Sequence, residues 1–160
     1  MILHKKSKSR DVWQRIFYER MTEPLHLNLL SVFVGLFGTF RQKVACDLVL
    51  RHCHAFALLK AADQAKAHGL SGLSVIEFGV AAGAGLMNLT FLAKKVSSLT
   101  GLDIQVYGFD TGKGMPPHRD YRDHPDFYRG GDFPADLSAR RTALPANGHL
   151  IVGELAVTVP

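Results

Sequence analysis

The sequence predicts an α/β fold built on a parallel β-sheet, and two observations lead to that prediction. Three stretches are apolar on both faces and rich in β-branched or aromatic residues, as buried strands are: 73–80, 104–110 and one within 149–157. Stretches with apolar residues at helical spacing, 85–98 and 135–144, stand between them. Strands that alternate with helices form parallel sheets, so this order indicates the first half of a doubly wound sheet.

The residues ahead of the first predicted strand indicate helices. A short amphipathic helix is predicted over 11–22, an apolar one within 25–40, and one or two helices over 41–69. The sequence therefore divides into an N-terminal helical segment, 1–70, and a partial sheet domain, 71–160.

Composition limits the classes of protein and partner. With 47% apolar and 21% charged residues in 160, the chain is globular, neither disordered nor fibrous. The basic stretch 4–10 lacks interleaved aromatic residues, so we expect a solvated terminus and no nucleic-acid partner. The apolar run 25–40 falls short of the roughly 20 residues that span a bilayer. We expect a buried or interfacial helix there, and no membrane partner.

The two cysteines, Cys46 and Cys53, lie in one predicted helical segment, about two turns apart on one face. That separation, roughly 10 Å, is too long for a disulfide. We expect free, buried thiols, and with no secretory signal at the N-terminus these indicate a cytoplasmic protein. His52, Cys53 and His54 are consecutive on a helix and point ~100° apart, so no metal site is expected there.

The stretch VIEFGVAAGAGLMNL contains a glycine-rich turn between the first predicted strand and its helix. Side chains are missing from this turn at three positions: Gly79, Gly83 and Gly85. Bare backbone lets a ligand approach the free N–H groups at the start of a helix. Ligands of open α/β sheets bind at the carboxyl ends of the strands, so we expect the site to combine this turn with Asp110 and Glu154.

The residues around the turn discriminate between ligand classes. The dinucleotide fingerprint G-x-G-x-x-G/A fails in both frames, because Asn88 breaks one and Ala81 the other. A phosphate loop of the G-x-x-x-x-G-K-[ST] type is absent too. Glu77, two residues before the turn, would repel a pyrophosphate and suits a cation such as an amino group or a sulfonium. A nicotinamide oxidoreductase remains the less favoured enzyme class.

The pattern E-x-G-x-(G)-x-G is matched by Glu77, Gly79, Ala81 and Gly83, and an acid, Asp110, then closes the second strand. This chain therefore resembles the class I S-adenosylmethionine-dependent methyltransferases. The stretch VYGFDTGKGMPP is similar to the FDxxxGxP segment of their macrocin O-methyltransferase-like group. The resemblance covers about residues 41–160 and is strongest over 75–90 and 106–117.

The resemblance implies a Rossmann-like sheet and roles for individual residues. The turn, with Gly79, Ala81, Gly83 and Gly85, would face the methionine part of S-adenosyl-L-methionine. Glu77 would lie below it and hold the amino group. Asp110, followed by Thr111 in the same site, would accept from both ribose hydroxyls, and Glu154 would sit near the adenine amine. Ala81 replaces a usual glycine, and Glu154 stands where the family usually has Asp.

The resemblance further implies O-methyl transfer to a small-molecule substrate. In that group the catalytic base and the ligands of a divalent metal lie on later strands, so no catalytic residue is assigned here. We expect the chain, which stops at Pro160, to be an N-terminal part of such an enzyme; the alternative is a truncated, inactive relic or an assembly module. The N-terminal helices and an unpaired sheet edge are candidate surfaces for a homo-oligomer.

The role of the long connection 111–135 has three possible interpretations. Segments of this length without predicted structure are usually functional or mobile. It is a lid or substrate contact, an oligomer contact, or a solvated loop.

Overall fold

The computed structural model describes residues 25–158, and the chain divides into two compact units, Met1–Ala61 and Ala62–Pro160. The predicted helix over 11–22 and the basic stretch 4–10 lie outside the described residues. The elements are, in order, α1 Leu25–Phe37, α2 Phe40–Ala45, α3 His52–Ala67, β1 Gly72–Phe78, α4 Ala84–Thr100, β2 Asp103–Asp110, a 3₁₀ turn Tyr121–Asp123, α5 Leu137–Ala143, β3 Gly148–Val152 and α6 Leu155–Thr158.

The first unit contains α1 and α2, and a local capping interaction starts α2. Thr39 starts α2 with a capping box, because its side chain accepts from the Gln42 N–H and its own N–H donates to Gln42 Oε1. Val34 of α1 is buried against Leu48. Across residues 25–158, every helix is too short or too polar to cross a membrane.

The prediction that the two cysteines lie on one helical face is wrong. Cys46 ends α2, and the chain then turns through left-handed residues at Asp47 (φ 53°) and Arg51 (φ 52°) before α3 begins. The expected burial is wrong as well, since Cys46 is half-buried and Cys53 is exposed.

The second unit holds a three-stranded parallel sheet in the order β1–β2–β3. Phe78 at the end of β1 aligns with Phe109, and Asp110 at the end of β2 aligns with Val152. The carboxyl ends of all three strands therefore meet at one edge. With α4 and α5 as the crossover helices, this is the predicted α/β, Rossmann-like fold.

One face of the sheet is the core. The predicted apolar stripe of α4 is buried, as expected: Leu86, Leu89, Leu92 and Val96. It packs with Ile104 and Val106 of β2, which are 1% and 0% exposed. The expectation that β1 is buried on both faces is wrong for the described residues, because Ile76 and Phe78 on the other face are more than half exposed.

The third strand ends earlier than expected. β3 stops at Val152, and Gly153 donates its N–H to the Asp110 carbonyl oxygen at 3.0 Å. Glu154 follows, and its carbonyl oxygen accepts from the N–H groups of Val157 and Thr158 in α6. Glu154 therefore starts a short helix rather than closing the strand.

Candidate functional site

The turn between β1 and α4 is built from backbone in the left-handed region. Gly79, Ala81 and Gly83 have φ of 78°, 46° and 80°. Gly79 donates its N–H to the Phe109 carbonyl oxygen at 2.9 Å, which ties the turn to the end of β2. Glycine adopts these angles without strain, whereas Ala81 stays there only because other contacts hold it.

Asp110 supplies such a contact. Its Oδ2 accepts the Ala81 N–H at 2.7 Å, and its Oδ1 accepts the Gly112 N–H at 2.7 Å. One carboxylate thus joins the glycine turn to the start of the connection. An ionised carboxylate has about four acceptor positions, so each oxygen can still accept one hydroxyl donor.

Glu77 lies beneath the turn, on the α4 side of β1. A Cβ atom placed on Gly85 would collide with Glu77 Oε1, so the carboxylate rests directly against the first turn of α4. The positive end of a helix dipole stabilises an anion at that position. The structure thus places the Glu77 carboxylate against the N-terminal end of α4, a contact that the sequence alone did not indicate.

Gly83 is covered from a different element. A Cβ atom on Gly83 would lie 3.2 Å from Cδ of Arg140, so the stem of this α5 side chain passes over the N-cap of α4. The sequence offered no signal for this contact, because Arg140 lies in a separate helix.

A cavity of about 700 Å³ opens at the carboxyl ends of the strands. Five of the eight predicted site residues line it: Gly79, Ala81, Asp110, Thr111 and Glu154. The other three, Glu77, Gly83 and Gly85, lie outside its lining. The charged lining residues are three acids and one base, Asp110, Asp132, Glu154 and Lys113.

The connection after β2 forms the far wall of the cavity. Met115 donates its N–H to the Asp132 carbonyl oxygen and its own carbonyl oxygen accepts from the Gly131 N–H, both at 2.8 Å. We call these two hydrogen bonds the clasp. Gly114 permits the clasp, because a Cβ atom there would lie 2.5 Å and 2.7 Å from the carbonyl oxygens of Asp132 and Gly131.

Beyond the clasp, the connection is ordered by short-range hydrogen bonds. Asp120 Oδ1 accepts the Arg122 N–H, and Asp123 Oδ2 accepts the Arg119 N–H. The Arg122 guanidinium also donates to the Asp120 carboxylate, which lowers the pKa of that carboxyl. Residues from both ends of this connection line the cavity, and the three interpretations of the segment remain predictions.

Sequence reasoning missed part of the lining. Met115, Pro116 and Pro117 lie in the quoted FDxxxGxP-like stretch, so the motif was an available signal. For Asp132 and Phe133 the sequence offered only a possible lid or substrate contact of the whole segment 111–135, because the clasp alone brings these two residues back to the strand ends. Leu155 and Ala156 reach the cavity because α6 starts directly after Glu154.

Potential metal ligands do not cluster within residues 25–158: no group of three or more His, Cys, Asp or Glu side chains could hold an ion there.

No protein-family model matches the chain, and no curated protein matches it. Among solved structures the chain is similar to the crystal structure of CalS11, a calicheamicin methyltransferase, with 19% sequence identity and a TM-score of 0.41. The match covers 98% of this chain and 60% of that chain, so the chain spans about three fifths of the length of this methyltransferase. At this identity and TM-score, the likeness assigns no function to the chain.

Proposed function

We propose that the cavity binds S-adenosylmethionine and that the chain is the cofactor-binding part of an enzyme that methylates an oxygen atom of a small molecule. One observation carries the proposal. Gly79 and Ala81 after β1, Asp110 at the end of β2 and Glu154, two residues after β3, line one cavity. Its volume lies within the roughly 300–1,000 Å³ typical of small-molecule sites.

The charge of the lining supports a cationic ligand. Three acidic residues line the cavity against one basic residue, Lys113. A sulfonium and an α-amino group are attracted to such a lining, whereas a pyrophosphate is repelled by it. The same balance disfavours a nicotinamide dinucleotide.

The polar groups fit the parts of the cofactor. The acceptor positions that remain on Asp110 suit two ribose hydroxyls, since its other positions take the Ala81 and Gly112 N–H groups. Glu154 suits an adenine amine, which donates. Met115, Pro116 and Phe133 supply apolar wall for a ring. Their work is to bind and orient; the cofactor, when bound, would supply an electrophilic methyl group.

Calorimetric titration tests this proposal. We expect S-adenosylmethionine and S-adenosylhomocysteine to bind and NAD to bind far more weakly. Asp110→Ala should weaken binding of both sulfur ligands by more than about tenfold, because hydrogen bonds to a charged group contribute about 1.5–3 kcal/mol each. Asp103→Ala is the matched control, since Asp103 is an exposed acid at the opposite end of the same strand.

The variant Glu154→Ala distinguishes a loss of ligand contacts from a disturbed conformation of the glycine turn. Asp110 also holds Ala81, so its removal disturbs the backbone. Glu154→Ala should weaken binding while leaving the thermal unfolding midpoint close to that of the wild type. Tighter binding of NAD than of S-adenosylhomocysteine would sink the proposal, and binding of none of the three would favour an assembly module.

A further inference from the structure

Helix α1 presents a continuous apolar stripe to solvent. Its residues have the spacing i, i+1, i+4, i+7 and i+8, which places them on one helical face. We call them the outer stripe: Leu29 (63% exposed), Leu30 (52%), Phe33 (61%), Leu36 (56%) and Phe37 (74%). The rings of Phe33 and Phe37 are in contact, with centroids 5.3 Å apart. Exposed patches of this kind mark interaction surfaces.

The opposite face of α1 anchors the helix in its own unit. Ser31 and Val34 are 3% and 8% exposed, and Val34 packs with Leu48, Val32 and Cys46. The outer stripe is therefore not the face that builds the core of the described part of this unit.

The part of the sequence that contains α1 is basic. No Asp or Glu occurs between Glu23 and Asp47, and Arg41 and Lys43 follow α1 directly. Residues 1–46 contain eight Lys or Arg and three Asp or Glu, a surplus of five that equals the net charge of the whole chain. Residues 47–160 contain eleven of each and are neutral. The net positive charge of the protein therefore comes from residues 1–46, the part of the sequence that contains α1.

We propose that α1 docks on an anionic lipid surface, with the outer stripe in the boundary between headgroups and acyl chains and the flanking cations against the lipid phosphates. A helix of 13 residues is about 20 Å long, shorter than the roughly 30 Å hydrocarbon core, so it lies in the plane of the surface. A second copy of this chain is disfavoured as the occupant, because its own residues 1–46 would bring an equal positive surplus. The shortness of the apolar run 25–40 argues against a membrane-spanning helix, but it does not argue against a helix that lies on the membrane surface.

Vesicle co-sedimentation of the full chain tests the proposal. We expect binding to phosphatidylcholine vesicles that contain phosphatidylglycerol, and little binding to phosphatidylcholine alone. Binding should weaken as salt rises, because the Debye length falls from about 10 Å at 0.1 M to about 3 Å at 1 M.

Two pairs of variants assign the contact. Phe33→Ser with Phe37→Ser should abolish binding, whereas Tyr121→Ser with Phe127→Ser should not, although those rings are 83% and 79% exposed. Arg41→Gln with Lys43→Gln should lower the affinity for anionic vesicles roughly 30-fold. The charge-matched control is Lys94→Gln with Lys95→Gln on α4, where both side chains are exposed.

Far-UV circular dichroism checks that each variant is folded, and light scattering after gel filtration reports self-association. Equal binding to neutral and anionic vesicles, or binding that survives loss of Phe33 and Phe37, overturns the proposal. A dimer that the Phe33 and Phe37 substitutions dissociate, with no binding to either vesicle, assigns the stripe to a second copy instead. If those substitutions unfold the chain, the Arg41→Gln, Lys43→Gln variant is the test instead. Unchanged affinity of that variant for anionic vesicles then overturns the proposal.

Discussion

The two walls of the strand-end cavity are built in different ways. The turn 79–83 is held by bonds that cross the sheet, from Gly79 to Phe109 and from Ala81 to Asp110. The connection 111–136 is held mainly by bonds between residues two to four apart, as at Asp120 and Asp123. Only the clasp and one bond from Ala135 to Gly112 close it over a longer range.

The conformations of the two walls therefore depend on different interactions. The turn depends on the packing of β2 and α4, so changes in the core should reach it. The connection folds largely on its own chemistry, so changes there should stay local.

Gly108→Ala should have the largest effect, because it forces a methyl group into the core beneath the turn. A Cβ atom there would lie 2.6 Å and 2.8 Å from carbon atoms of Leu86 and Val80. Overpacking of this kind typically costs about 1–3 kcal/mol, measurable by urea unfolding. Gly130→Ala is the control, since its nearest neighbour, Pro117 Cα, is 3.3 Å away and the site is exposed. Equal costs for the two variants would contradict the dependence of the turn on the core.

Gly114→Ala should open the clasp with a smaller effect on global stability. Gly131→Ala is a closely matched control, because both glycines have similar left-handed φ, 84° and 87°, but nothing lies within 4 Å of a Cβ atom on Gly131. Both variants carry left-handed strain of about 1–2 kcal/mol, and only Gly114→Ala adds a collision with carbonyl oxygens. Amide hydrogen exchange at Met115 should speed up far more in Gly114→Ala; equal exchange in the two variants would refute the clasp.

Ala81→Gly should stabilise the chain slightly. It removes about 1–2 kcal/mol of left-handed strain at φ 46° and adds about 0.5–1 kcal/mol of backbone entropy, which leaves a gain of about 0.5 kcal/mol. Ala84→Gly, at the exposed first position of α4, should instead destabilise. Chemical denaturation of both variants measures the contrast, and a loss of stability in Ala81→Gly would show that the alanine is unstrained.

The smallest effect concerns pH at the end of the connection. Asp136 caps α5, and hydrogen bonds from the Ser138 side chain and N–H lower the pKa of its carboxyl. Because the folded pKa is depressed, the cap stabilises α5 above the ordinary value of 3.8 and is lost as pH falls through the folded pKa. NMR titration should show Ser138 and α5 amides shifting in that acidic window. Asp136→Asn keeps a neutral cap, so the same shifts in that variant would exclude this origin.

Much of the fold was predictable because burial leaves a local pattern. The stripe of Leu86, Leu89, Leu92 and Val96 repeats at helical spacing, and the structure buries all four. The first two predicted strands, 73–80 and 104–110, are observed as β1 and β2. They were recognisable because their apolar, β-branched runs fit a pleated surface.

Other features were not predictable from such patterns. Glu154 follows an apolar run, which suggested a strand end, yet Gly153 turns the chain and Glu154 starts a helix. The two cysteines looked like neighbours on one helix until left-handed residues separated α2 from α3. Both errors have one physical cause, since one or two turn residues redirect the chain without changing the hydrophobic period.

The amino-acid pattern was enough to infer the order of the elements, the bare turn after β1 and the acid that ends β2. Which residues meet became known from the folded chain: Asp110 shares its carboxylate between two loops, and the clasp returns Asp132 and Phe133 to the strand ends. The physical reason is the range of the forces involved. Hydrophobic spacing encodes the burial of nearby residues, whereas the meeting of distant segments depends on strand register and on hydrogen bonds that form only once the sheet exists.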